Sequence, residues 1–174
     1  DLVIVDTWDT YMENFESSKN IYNARWQEDN RPLLSDDYYM MRNEALQPMF
    51  KKKKAIMYLL KYGGEVIAFR LGFLNNNVFY DWKVSHNPKF DYYSPGFLTV
   101  GLIIKHLISN NNKAFNFMTG NYQYKRSWTN TDENSINYEL LNAKTYSLGQ
   151  LYMTYRKTYR DQLKAIAKKL KLTQ

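Results

Sequence analysis

The sequence predicts a mixed α+β domain: a mostly antiparallel, twisted sheet flanked by helices, with one parallel pair of strands. Three observations predict it. Two turn signals, Gly63-Gly64 and Asn75-Asn76-Asn77, divide residues 55–84 into three strand-like runs of a meander. An apolar helical stretch from Pro95 then leads to a further strand-like run, 114–118, and a helix between strands allows 78–84 and 114–118 to run parallel. Two helical stretches stand before the first long strand.

Taken in order, residues 2–5 are a short β-branched run suited to an edge strand. Trp8, Tyr11, Met12 and Phe15 fall at i, i+3, i+4 and i+7, the spacing of an amphipathic helix. Ser17-Ser18 is a place where it could break, and Ile21, Tyr22 and Trp26 continue the stripe to about Glu28. After a loop, Ser35 caps a helix whose first turn carries Asp36 and Asp37, on the positive end of the dipole. Tyr39, Asn43, Leu46 and Phe50 share one of its faces. The strands are expected at 55–61, 65–74 and 78–84, with Asp81 inside the third and His86 just after it.

Ser94 can cap the next helix, and Pro95 suits its first position because a proline there gives up no needed N–H. Leu98, Leu102, Ile103, Ile104, Leu107 and Ile108 make its apolar face, and 110–112 end it. Gly120 closes the strand at 114–118 and leads into Tyr124-Lys125-Arg126. Residues 136–142 read as a last strand. Leu148, Leu151, Tyr155, Tyr159, Leu163, Ile166 and Leu170 then mark a long amphipathic helix over about 147–171. Leu151, Tyr155 and Ile166 are expected to face protein, and Lys157, Lys164 and Lys168 solvent. That helix packs on the domain, or serves a partner or an anionic surface.

At 174 residues the chain is long enough for one domain with a proper core. It starts at Asp1 rather than a methionine, so a longer protein with a preceding domain is one expectation. There is no cysteine, which excludes disulfides, thiolate metal sites and a cysteine nucleophile. Two histidines, His86 and His106, are too few for an ordinary zinc site, so no metal is expected. The net charge of +7 would suit nucleic acid, but from Ser147 onward seven basic residues stand against the single acid Asp161. The rest of the chain is almost neutral. No membrane span or secretory signal is visible, and a cytoplasmic protein is expected.

A helix start containing glycine, with free backbone N–H groups, suits a phosphate. Here it belongs to a longer series: Tyr93-Ser94-Pro95-Gly96, an apolar helix, Phe115-x-Phe117, Gly120, then Tyr124-Lys125-x-x-Trp128. That series resembles the cellulose-biosynthesis-type branch of the GNAT acyltransferases, which are distantly similar to the FemABX-like peptidyltransferases. The resemblance runs from about Tyr22 to Trp128. It implies an acyl-coenzyme A (acetyl-CoA or another acyl-CoA) bound where two parallel strands splay apart, its pyrophosphate on the amides of Gly96, Phe97 and Leu98 with Ser94 nearby. It also implies Asn121 on the pantetheine arm, Lys125 on a phosphate or a substrate carboxylate, or simply exposed, and Tyr124 as the acid for the leaving thiolate or a cleft-wall residue. Trp128 is a packing residue.

The chain departs from the branch where acidic positions become Asn116, Asn121 and Tyr122. An asparagine cannot take a proton, which leaves Asp81, His86, Asp91 and Glu65 as candidate bases. Asp81 is also readable as a paired structural acid. Three functions are then open. The first is an acyl-CoA-dependent N-acyltransferase acting on an amino sugar or a polysaccharide or cell-envelope precursor. The second uses an aminoacyl-tRNA donor, which the basic last helix would suit. The third is a GNAT-like domain that no longer catalyses and serves as a binding or scaffold module.

Overall fold

The computed structural model describes residues 1–120, 122–132 and 159. The chain divides into two compact units, Asp1–Thr131 and Asp132–Gln174. The first unit carries the sheet and its helices. The strand expected at 136–142 and the helix expected at 147–171 lie outside the described residues, apart from Tyr159, and so does Asn121.

The elements run β1 (Leu2–Val5), α1 (Trp8–Glu28), α2 (Asp36–Lys51), β2 (Ala55–Tyr62), β3 (Glu65–Asn75), β4 (Val78–His86), a 3₁₀ segment (Pro88–Tyr93), α3 (Pro95–Ser109), β5 (Ala114–Asn116) and the single turn α4 (Gln123–Arg126). One five-stranded sheet holds the strands in the order β1-β2-β3-β4-β5. All neighbours are antiparallel except β4 and β5, which are parallel as the sequence predicts. Among the described residues no helix is long and apolar enough to cross a membrane.

Helices α1 and α2 cover one face of the sheet and α3 the other. Alternate residues of β2 divide accordingly. Met57 and Leu59 join Tyr11, Phe15, Leu46 and Phe50 in one cluster, while Ile56 and Tyr58 join Phe79, Ile103 and Leu107 in another. Burial on both faces is why 55–60 reads as an unbroken apolar run. Both hairpins close as the turn residues require: Gly63 and Gly64 have φ of 57° and 84°, Asn76 and Asn77 of 49° and 61°.

Helix α1 is continuous through Ser17-Ser18. The Ser18 hydroxyl donates to the Phe15 carbonyl at 2.8 Å, a local bond that a helix accommodates. Met12 lies outside the buried stripe. Ser35 caps α2 as expected, accepting from the Tyr38 N–H at 3.2 Å. On that helix Arg42 joins Tyr39, Leu46 and Phe50 among the buried residues, and the half-buried Asn43 accepts from the Tyr11 hydroxyl at 2.9 Å.

Two local departures shape the site. The first is in β4, where Leu71 pairs with Lys83 and Gly72 with Asp81, leaving Trp82 as an extra residue. This bulge puts Trp82 and Lys83 on the α1/α2 face, with the Lys83 ammonium 5.5–5.7 Å from the ring centres of Tyr22, Tyr38 and Trp82. Gly72 makes room for it: a methyl there would meet the Phe79 ring at 2.6 Å and the Tyr80 carbonyl closer still. The second departure is that β5 stops at Asn116. Its side chain accepts from the Met118 N–H at 2.8 Å, and Met118 takes φ of 56°, so the expected strand to 118 turns away early.

On α3 the buried seam is Pro95, Thr99, Val100, Ile103 and Leu107. Each large aliphatic of such a seam contributes about 1.5–3 kcal/mol on burial. The sequence pattern places Leu98 and Ile108 on the apolar face, but they are 50% and 68% exposed. The helix is apolar nearly all round, so periodicity alone cannot say which stripe meets the sheet.

Candidate functional site

Strands β4 and β5 are bonded at only three positions, Val78–Ala114, Phe79–Phe115 and Tyr80–Asn116. Strand β4 then continues from Asp81 to His86 with no described strand on that side. A parallel pair that opens in this way leaves a split in the sheet. Asp81 stands at its apex, the bulge follows it, and α3 begins beyond its far end.

The Asp81 side chain is 1% exposed. One carboxylate oxygen accepts from Nη1 of Arg70 on β3, whose own side chain is 5% exposed. The other oxygen, Oδ1, is buried with no hydrogen-bond partner among the described residues. Burial pushes the acid up to about 6, against the pull of Arg70 and, more weakly, Lys125. Removing charge from water outweighs the attraction of one guanidinium, which is the usual balance for a pair this deep.

Arg70 does more than pair. Its Nη2 donates to the Gly96 carbonyl at 3.2 Å, and its guanidinium lies 5.9 Å from the centre of the Tyr124 ring. Burial raises the Tyr124 hydroxyl, the Arg70 charge lowers it and the Asp81 charge raises it again, for a net upward shift. Tyr124 therefore keeps its proton at neutral pH. Asp81 and Tyr124 are thus brought together around a residue that the sequence-based candidates lack. The signal for it was present: Arg70 is the one charge inside the apolar run 66–74, and a lone charge in a buried strand needs a partner on the next strand.

His86 belongs elsewhere. Its Nε2 is 2.7 Å from Oδ1 of Asp91, whose Oδ2 is 3.3 Å from Nη1 of Arg25 on α1. On the other side of the ring, Nδ1 would lie 3.5 Å from a methyl on Gly96. His86 therefore stands at the start of α3, at the opposite end of the split from Asp81. A cavity of about 20 Å³ lies there between β3, β4 and α3, lined in part by Arg70, His86, Gly96 and Thr99, with room for a single water.

Ser94 occupies the cap position of α3, but with φ of 48° and no capping bond from its side chain. Its carbonyl accepts from the N–H groups of Phe97 and Leu98, at 3.0 and 3.1 Å. Of the three amides expected to hold a phosphate, the Gly96 N–H alone makes no backbone bond among the described residues. The Lys125 ammonium donates to the carbonyls of Phe117, Met118 and Thr119 at 2.8, 3.2 and 2.9 Å, so its three protons clasp the chain where it leaves β5. Burial lowers its pKa. Trp128 stacks on Phe97, ring centres 4.4 Å apart, and lies against Gly101 as a packing residue.

A family profile described as "Acetyltransferase (GNAT) domain" matches residues 4–126. No curated relative matches the chain significantly. Among solved structures, an aminoglycoside acetyltransferase, meta-AAC0020, from an uncultured soil metagenomic sample, solved with sisomicin, is similar with a TM-score of 0.57 and 7% identity. That match covers 82% of this chain and 95% of the other. A possible acetyltransferase from Clostridium difficile 630 gives 0.57 and 12% over 82% and 98%. AAC(6')-Iy, solved with a bisubstrate analogue of coenzyme A, gives 0.56 and 11% over the same shares. At such identities the likeness is one of fold, and the fold includes the mostly antiparallel sheet with one parallel pair. On the profile match across most of its first unit, the chain belongs to the GNAT acetyltransferase family.

Proposed function

We propose that the chain is an acyl-CoA-dependent N-acyltransferase whose acceptor is an amine on an amino sugar or on a polysaccharide or cell-envelope precursor, in the cellulose-biosynthesis-type branch of the family. The observation that carries this is the buried Oδ1 of Asp81 at the apex of the split, without a hydrogen-bond partner among the described residues, beside a protonated tyrosine. A buried carboxylate oxygen without a donor is costly unless a ligand supplies one. An amine entering the split would do so. The acceptor class rests on the resemblance of the 93–128 series alone, and an acyl-CoA donor implies a cytoplasmic setting.

The donor would supply an activated thioester. On the protein side, the start of α3 offers the Gly96 N–H and the positive end of the helix dipole to a phosphate. Asp81, ionised above about pH 6, takes the proton that the attacking nitrogen must lose. Tyr124 gives its proton to the departing sulfur. Its raised pKa keeps that proton available, and Arg70 beside it steadies the phenolate that results. His86, held by Asp91, faces the phosphate end and not the reacting atoms.

The test is calorimetric titration with acetyl-CoA, followed by mass spectrometry of a panel of amino sugars offered with it. Transfer that disappears in Asp81→Asn supports the assignment. Transfer that survives this change at full rate refutes Asp81 as the base. A second reading, a binding module without turnover, is favoured by Asn116, whose side chain holds a turn where the branch carries an acid. Binding of coenzyme A with transfer to no amine would select it.

A further inference from the structure

Arg70 touches three parts of the site at once: the Asp81 carboxylate, the Gly96 carbonyl at the start of α3, and the face of Tyr124. It reaches them from β3, a strand that borders neither side of the split. We propose that Arg70 is a positioning residue that ties the proton-accepting carboxylate to the donor-binding start of α3, setting both the proton affinity of Asp81 and the placement of the Gly96 peptide. This role rests on the acyl-transfer reading.

A planar guanidinium presents two nitrogens side by side, and only such a fork can bond Asp81 with one and Gly96 with the other. A lysine carries its three protons on a single nitrogen at the end of a shorter arm, which cannot occupy the places of both guanidinium nitrogens. Gly96 couples the two ends of the site, because its carbonyl takes the Arg70 bond while its own N–H makes no backbone bond among the described residues. Among the described residues, the charged and titratable groups whose fields reach Asp81 are Arg70 from β3 and Tyr124 and Lys125 from α4. Helix α3 brings the Gly96 carbonyl to the cluster.

The experiment follows the Asp81 side-chain carboxyl by ¹³C NMR against pH, and coenzyme A affinity by calorimetry, in the parent, Arg70→Met and Arg70→Lys. Arg70→Met is expected to move the Asp81 midpoint upward by about one unit or more and to weaken coenzyme A several-fold. Arg70→Lys should hold the midpoint close to the parent while weakening coenzyme A as much as methionine does. A folded Arg70→Met protein with an unmoved midpoint overturns the proposal, since a merely structural arginine would lower stability without shifting that titration. If the methionine variant does not fold, Arg70→Lys decides: undiminished coenzyme A affinity overturns the proposal. The titration needs no turnover. A parent that transfers to no amine therefore counts against the proposed function, while the Arg70 result stands on its own.

Discussion

Two arginine–aspartate pairs stand at the two ends of the free part of β4, each with a proton-bearing ring beside it. At the apex, Arg70 and Asp81 have side chains 5% and 1% exposed, next to Tyr124. At the far end, Arg25 and Asp91 are 33% and 47% exposed, next to His86. The chemistry of the groups is similar and their circumstances are opposite. Asp91 has both oxygens engaged, one by His86 and one by Arg25. Asp81 has one oxygen engaged, the other without a donor among the described residues, and an acidity shifted to about 6. Exposure lets a carboxylate choose partners and costs little when they are lost. Burial fixes the partner and leaves the remaining valence to whatever enters the split.

Four substitutions or conditions would break or sharpen this contrast. Asp81→Asn should lower acyl transfer by about 10²–10⁴-fold, the range for a lost general base, measured as single-turnover transfer from acetyl-CoA. A loss below tenfold would make the pair structural. Tyr124→Phe should slow the same step by about 10²-fold with donor affinity unchanged, because the hydroxyl matters in the transition state and little before it. Equal rates with chemistry limiting would remove Tyr124 as the acid.

The third concerns stability against pH. Asp81 is raised in the fold from its ordinary 3.8 to about 6, so the folded state binds its proton more tightly than the unfolded chain does. Its contribution is therefore complete below about pH 4 and is lost as pH rises through about 6, by an amount of order 3 kcal/mol. Urea unfolding between pH 4 and 8 should show that fall in the parent and a flatter profile in Asp81→Asn. The smallest effect belongs to the exposed pair. Asp91→Asn should cost about 1 kcal/mol or less in the same urea assay and leave the transfer step untouched. A transfer defect as large as that of Asp81→Asn would make the two ends functionally alike and end the contrast.

Much of this architecture was legible in advance. The two hairpins were marked by five residues that tolerate left-handed backbone, and four of them, Gly63, Gly64, Asn76 and Asn77, took it. The parallel pair followed from a helix lying between two strands. What stayed hidden depended on neighbours far along the chain. The bulge at Trp82 exists only against β3, where Gly72 gives way, and nothing in the alternation of 78–86 announces it. Ser94 has the composition of a side-chain cap, yet its left-handed backbone turns its carbonyl, not its hydroxyl, to the helix. Arg70 was visible as an isolated charge, but its three contacts come from three separate elements. Lys125 lies on the helical turn after Gly120, with its protons directed to carbonyls rather than to a phosphate.

The early end of β5 has a consequence for the backbone of β4. From Asp81 to His86 the peptide groups that face away from β3 meet no described strand, so an otherwise interior strand carries a short open edge. Exposed edges recruit extended chain. An extended ligand arm bearing amide groups is a chemical relative of such a chain and could complete the ladder there. Deuterium should therefore enter alternate β4 amides readily in the free protein, and their protection on adding coenzyme A would trace the ligand's path one hydrogen at a time.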